Sequence, residues 1–342
     1  MSSANLREIA GPITVRDATS FLAGIATLSA LKLAYSAITS PEQHFITAPP
    51  RESHTDSHYS TTFYPGSKDI DTPYGSIRAY EFGPEDGERV LFIHGITTPC
   101  PVFSGILPKI VEAGYRVCTF DLFGRGYSDA PNLKHDERLF LSQTLCVLQK
   151  IGWNKCSVVG YSFGGSLAAS FASYFADSVQ SLILIAPAGL LVEKDMPLVR
   201  RVAQSEAVPF SLLHALQSTL VPKAKEVAAR TSGGRLDVTN VSLWQSANHK
   251  GFSRSYLSTF RYGPIFDQWD LFARLNRTQL EVHAIWGDAD DIVDTNTVSG
   301  NLKKAIPDLD LKIIPGIGHD VCTGRPQEIV DYILKVLQKE AV

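Results

Sequence analysis

The run Ser157-Val158-Val159-Gly160-Tyr161-Ser162-Phe163-Gly164-Gly165-Ser166-Leu167-Ala168-Ala169 sets a serine between two glycines, where an apolar strand-like stretch meets a small-residue helix-like one. A serine on so sharp a turn is held in a strained backbone, and glycines two residues before and after it let strand and helix pass closely. Its hydroxyl then stands above a helix N-terminus, whose dipole favours developing negative charge. The chemistry served is nucleophilic attack on a carbonyl by Ser162. A serine hydroxyl is a weak nucleophile alone, so it needs a base, and the base needs an orienting carboxylate.

Both candidates lie further along the chain. Glu281-Val282-His283-Ala284-Ile285-Trp286 reads as a strand ending in an acidic loop with Asp288, Asp290, Asp291 and Asp294. Leu311-Lys312-Ile313-Ile314 reads as a strand ending in a loop that carries His319. The order is Ser, Asp, His. Loops at the C-terminal ends of strands converge over an open α/β sheet, so distant stretches can meet there. The nine histidines show no His-Glu-x-x-His spacing, and the five cysteines are scattered, so neither a metal nor a cofactor is expected.

The elements that must position these residues follow from residue 74 onward, where short β-branched runs alternate with longer amphipathic ones. Strands are expected over 76–82, 89–93, 116–121, 156–160, 181–186, 280–286 and 309–314. Helices are expected over 103–114, 134–151, 163–176, 296–305 and 326–339. The fold class is α/β, a mostly parallel central sheet flanked by helices. About ninety residues separate the strands near Ile185 and Leu280, far more than a crossover needs. An inserted, mainly helical cap is therefore expected over 191–275, with the core formed by 72–190 and 276–342.

Two further stretches carry a resemblance: Val90-Leu91-Phe92-Ile93-His94-Gly95-Ile96-Thr97, and Asp121-Leu122-Phe123-Gly124-Arg125-Gly126-Tyr127-Ser128-Asp129. With the Gly-x-Ser-x-Gly turn, they make the chain resemble the α/β-hydrolase family over about residues 74 to 340, in its serine-nucleophile, esterase- and lipase-like branch with an inserted cap. The resemblance implies Asp290 as orienting carboxylate, through the family's Gly-x-x-Asp pattern. It also implies backbone N–H groups of Ile96 and Phe163 as the oxyanion hole. His94 is expected beside that hole as a structural residue, and His283 within the sheet or its cover.

The function implied is a serine hydrolase that cleaves a small hydrophobic carboxylic ester through an acyl-enzyme on Ser162. Carbon-carbon bond hydrolases and perhydrolases share the triad, although the former usually carry Trp where Asp320 follows His319 here. Epoxide hydrolases and haloalkane dehalogenases use Asp at the elbow, which Ser162 argues against. A non-catalytic binding protein on a hydrolase scaffold is the rival from another class. A dehydrogenase is disfavoured because Asp129 replaces the third glycine of a dinucleotide fingerprint.

The 342-residue chain carries 32 Lys plus Arg against 35 Asp plus Glu, a formal charge of −3, so no basic field would recruit nucleic acid. Residues 1–40 contain a mainly apolar run, 21–38, broken by Lys32 and just long enough to span a bilayer. It reads as a single membrane anchor, with an amphipathic helix packed on the domain or a cleaved signal peptide as alternatives. The protein is otherwise expected to be cytoplasmic. Residues 41–71, polar and holding four prolines, read as a linker.

Overall fold

A computed structural model describes residues 44–51, 59–195, 205, 208 and 238–339. The apolar run at 21–38 lies outside the described residues, as does most of the first half of the expected cap. Among the described residues no helix is long and apolar enough to cross a membrane.

In chain order the elements are β1 (Phe45–Ile46), β2 (Ser67–Thr72), β3 (Gly75–Phe82), β4 (Arg89–Ile93), α1 (Leu107–Glu112), β5 (Arg116–Phe120) and β6 (Ala130–Pro131). Then come α2 (Glu137–Ile151), β7 (Cys156–Tyr161), α3 (Phe163–Tyr174) and β8 (Val179–Ile185). After a stretch that lies largely outside the described residues follow α4 (Val238–Asn248), α5 (Phe252–Tyr262), α6 (Trp269–Arg277) and β9 (Val282–Gly287). The chain closes with α7 (Thr295–Ala305), β10 (Asp310–Ile314), α8 (Val321–Gly324) and α9 (Pro326–Lys339).

Eight strands form one sheet in the order β10-β9-β8-β7-β4-β5-β3-β2. β3 runs antiparallel to β2 and β5, and the remaining neighbours are parallel. The central strands are apolar on both faces because helices cover both. Alternation then sorts their side chains: Leu91, Ile93 and Val158 enter one core with α2, α3, α6 and α7, while Val90, Phe92 and Val159 enter the other with α1 and α9. Each fully buried aliphatic chain contributes about 1.5–3 kcal/mol.

Local signals fix the covering helices. Asp136 caps α2 by accepting the N–H of Leu139, and Gly152 ends that helix in the left-handed conformation at φ 72°. Helix α9 turns Ile329, Val330, Ile333, Val336 and Leu337 inward, the face its periodicity predicts.

Two boundaries differ from the sequence reading. The expected linker, 41–71, holds the short β1 and all but the last residue of β2, an edge strand with only Ile70 of its six residues buried. Tyr59 and Tyr64, from the same stretch, are buried in the core against Tyr80. The core also resumes earlier than 276, because α6 buries Leu271, Phe272 and Leu275 with Leu167 and Ala168 of α3. That helix packs with α3 in the core that covers one face of the sheet.

Candidate active site

Strand β7 delivers Ser162 at its C-terminal end, and α3 starts at the next residue. Ser162 has φ 56° and ψ −121°, a conformation that costs a non-glycine residue about 1–3 kcal/mol. Its neighbours hold it there: Ser162 N–H donates to the Ile185 carbonyl at 2.8 Å, and its own carbonyl accepts from Ala188 at 2.9 Å. The flanking glycines are required by close approach. A Cβ on Gly164 would lie 2.1 Å from the Ile93 carbonyl oxygen, and one on Gly160 would lie 2.3 Å from that of Gly164.

His319 sits on the loop after β10, with its Nε2 2.9 Å from Ser162 Oγ and its Nδ1 2.7 Å from Asp290 Oδ2. Asp290 is the buried member of the acidic loop after β9. Its carboxylate accepts four N–H groups: His319 Nδ1 and Trp286 Nε1 on Oδ2, and the Ile292 and Val293 amides on Oδ1. Since Nδ1 meets a carboxylate, the proton of the neutral ring belongs there, which leaves Nε2 to accept from the serine hydroxyl.

The other acids of that loop have separate work. Asp294 caps α7 through the Thr297 N–H, Asp288 accepts the Gly316 N–H, and Asp291 is exposed. His283, buried in β9, lies 3.1 Å from Asp310 across the sheet edge.

The loop after β4 runs beside the serine, since a Cβ on Gly95 would lie 3.6 Å from Ser162 Oγ. His94 organises this turn. Its Nε2 accepts the Leu122 N–H, so its proton is on Nδ1, which donates to the Gly95 carbonyl at 2.8 Å. Burial holds its pKa down, to about 3. In a trans peptide the N–H points opposite the carbonyl, so this bond aims the Ile96 N–H away from the His94 ring. The Phe163 N–H is one of the first amides of α3, which a helix leaves without an intrahelical partner.

Asp121 to Asp129 forms a tied loop rather than a nucleotide-binding turn. Asp121 accepts from the Tyr59 hydroxyl and from the Cys100 and Tyr127 amides, and Asp129 accepts from the Ala48 and Ser76 amides. The segment leads into the short β6 strand, with no helix N-terminus for a pyrophosphate. His94, Cys100 and Asp121 come within 4.8 Å of one another through their donor atoms. Both ring nitrogens and both carboxylate oxygens in that group already have hydrogen-bond partners, so the residues do not fit a metal without breaking the loop.

Two neighbours of the serine-histidine-aspartate chain were not singled out by sequence. Tyr161, the residue before the nucleophile, stacks on His319, and Trp286 donates to Asp290. Tyr161 occupies the variable place of its motif, and Trp286 reads from sequence only as an apolar strand residue. Neither had a positional signal.

A family model described as alpha/beta hydrolase fold matches residues 88–326. The chain belongs to the α/β-hydrolase fold family. This α/β hydrolase is 25% identical over 278 residues to an uncharacterized protein of Mycobacterium tuberculosis, covering 77% of this chain and 78% of that protein. It is 24% identical over 275 residues to the monoacylglycerol lipase ABHD6 of Mus musculus, covering 75% and 79%. Its fold is similar to a carboxylesterase structure from Nitrososphaera gargenis, with a TM-score of 0.61, 19% identity, and 80% and 99% of the two chains covered.

Proposed function

We propose that this α/β hydrolase is a serine esterase that cleaves hydrophobic carboxylic esters through an acyl-enzyme on Ser162. One observation carries the reading: His319 bridges Ser162 Oγ at 2.9 Å and Asp290 Oδ2 at 2.7 Å. These are the distances and order of partners that proton transfer from a serine requires.

In the proposed reaction His319 Nε2 takes the hydroxyl proton while Ser162 Oγ bonds to the ester carbon. The Ile96 and Phe163 amides hold the resulting oxyanion, and Asp290 stabilises the imidazolium and fixes its tautomer. Collapse of the adduct breaks the bond to the alcohol, which leaves with the proton from His319. Water then attacks the acyl-enzyme, passes a proton to His319, and frees the acid as that proton returns to Ser162.

The preference for an apolar acyl group rests on the apolar residues of the 191–275 region, which we read as a cap over the site up to the start of α6. The name of the mouse relative, an acylglycerol lipase, supports the same substrate class. Labelling with a fluorophosphonate probe, followed by p-nitrophenyl esters of graded chain length, tests the proposal. The expected outcome is labelling and turnover that both disappear in Ser162→Ala; a folded parent that neither labels nor turns over would favour a binding scaffold instead.

A further inference from the structure

Three consecutive carbonyls of the loop beside Ser162 each accept a hydrogen bond from a different side chain. Gly95 O accepts from His94 Nδ1 at 2.8 Å, Ile96 O from Arg125 Nε at 3.0 Å, and Thr97 O from Gln245 Nε2 at 2.7 Å. Backbone carbonyls shut away from water need a partner, and here three successive ones take theirs from side chains. These bonds orient the peptide planes on either side of Ile96.

The three donors come from different parts of the fold. His94 belongs to the loop itself, and Arg125 to the loop after β5. Gln245 stands on α4, in the cap region. Its amide is fully buried and bidentate: while Nε2 holds Thr97 O, Oε1 accepts the Gly126 N–H at 2.8 Å. One side chain therefore ties the cap helix to both loops. His249, just past the end of α4, adds a third tie by donating Nε2–H to the Ser128 carbonyl at 2.8 Å.

Arg125 is an unusual choice for a structural donor. Its guanidinium is fully buried, gives Nη1 to the Phe123 carbonyl, and makes no ion pair among the described residues. Burying a cation against carbonyls and the ring of Phe140, 5.9 Å away, with no carboxylate to pair it, is unfavourable. That unfavourable choice is understandable where a fixed positive charge and a fixed loop both serve a neighbouring anionic intermediate.

We propose that Gln245, with Arg125, is a positioning residue for the oxyanion loop, so that the cap helix is part of the catalytic frame rather than only a cover over the substrate. This rests on the serine-esterase reading, in which the Ile96 amide faces the oxyanion. A loop that is released would still bind substrate, but would present its N–H less accurately to the tetrahedral intermediate.

Two variants test it. Gln245→Met keeps the length and removes both bonds, whereas Gln245→Glu, assayed at a pH where the new carboxyl is ionised, keeps an acceptor for Gly126 N–H and removes the donor to Thr97 O. With a p-nitrophenyl ester, both should lose about 10- to 100-fold in kcat with KM changed less than about twofold; deleting an oxyanion donor outright costs about 100- to 1000-fold. Affinity for a trifluoromethyl ketone, which forms the tetrahedral oxyanion with the serine, should fall in proportion to kcat/KM. Parent kcat in folded Gln245→Glu, or a loss confined to KM, would overturn the proposal, as would unchanged ketone affinity. If Gln245→Met does not fold, Gln245→Glu decides alone. Fluorophosphonate labelling of the parent separates the two levels: absence of labelling there defeats the esterase reading itself, whereas labelling with unaffected variants defeats only the role of Gln245.

Discussion

Tyr161 lies face to face with the imidazole of His319, ring centroids 5.3 Å apart and planes 29° from parallel, and its hydroxyl donates to the carbonyl of the same residue at 2.7 Å. The residue before the proposed nucleophile thus holds the proposed base by ring and by backbone. An aromatic face also attracts a cation, and in the proposed reaction His319 becomes cationic when it takes the serine proton.

These two contacts can be separated. Tyr161→Phe removes the hydroxyl bond and keeps the stacking, so it should lose only about threefold to tenfold in kcat. Tyr161→Leu removes both and should lose about 10- to 100-fold in kcat with KM changed little. Equal losses in the two variants would show that stacking contributes nothing.

Asp290 is surrounded by donors only, which makes its amide isostere a poor substitute. In Asp290→Asn one position of the side chain becomes NH₂ and must face either the His319 and Trp286 N–H groups or the Ile292 and Val293 amides. The expected result is a loss of about 10⁴-fold in kcat, the scale seen for a serine-protease triad, together with a lower melting temperature. An Asp290→Asn enzyme with parent stability and activity would remove Asp290 from the proposed triad.

Trp286 offers a milder test at the same carboxylate. Its indole N–H is shared between Asp290 Oδ2 at 3.2 Å and the Val293 carbonyl at 3.1 Å, and the ring is fully buried. Trp286→Phe should cost about 1–3 kcal/mol in stability from the lost bonds and volume. It should also lower kcat by several-fold with KM nearly unchanged, since one anchor of the orienting carboxylate is gone. A kcat at the parent value in the folded variant would mean the two loop amides fix Asp290 sufficiently.

The uneven legibility of the chain has physical causes. β4, β7 and β8 were readable because strands covered on both faces are continuous apolar runs, and the bounds of β4 match those expected from sequence. The elbow was readable because Gly160 and Gly164 are demanded by backbone contacts that no side chain can satisfy. β2 was not, because an edge strand with one buried residue in six has no apolar signature. Asp290 could be separated from Asp288, Asp291 and Asp294 only through family resemblance, since four acids in one loop look alike until burial distinguishes them. The ties made by Arg125 and Gln245 were beyond reach, because each joins residues far apart in sequence through a single side-chain group.

Buried neutral histidines give the last prediction, which concerns stability rather than turnover. Burial pushes the pKa of His94 and of His135 down to about 3, and lowers that of His249 as well. In the unfolded chain each would titrate near 6.5. Between about pH 6.5 and 3 the unfolded state therefore binds protons that the native state refuses, so unfolding becomes easier as pH falls and stability is recovered as it rises. Each of His94 and His135 should contribute a loss of up to about 2 kcal/mol between pH 7 and 5. Urea unfolding at a series of pH values would read this slope. His135→Asn, which can retain a donor to the Leu133 carbonyl in place of Nδ1, should flatten it by about one proton. A parent stability that stays level from pH 7 to 5, or a slope untouched in His135→Asn, would show that these imidazoles find a way to accept protons without opening the fold.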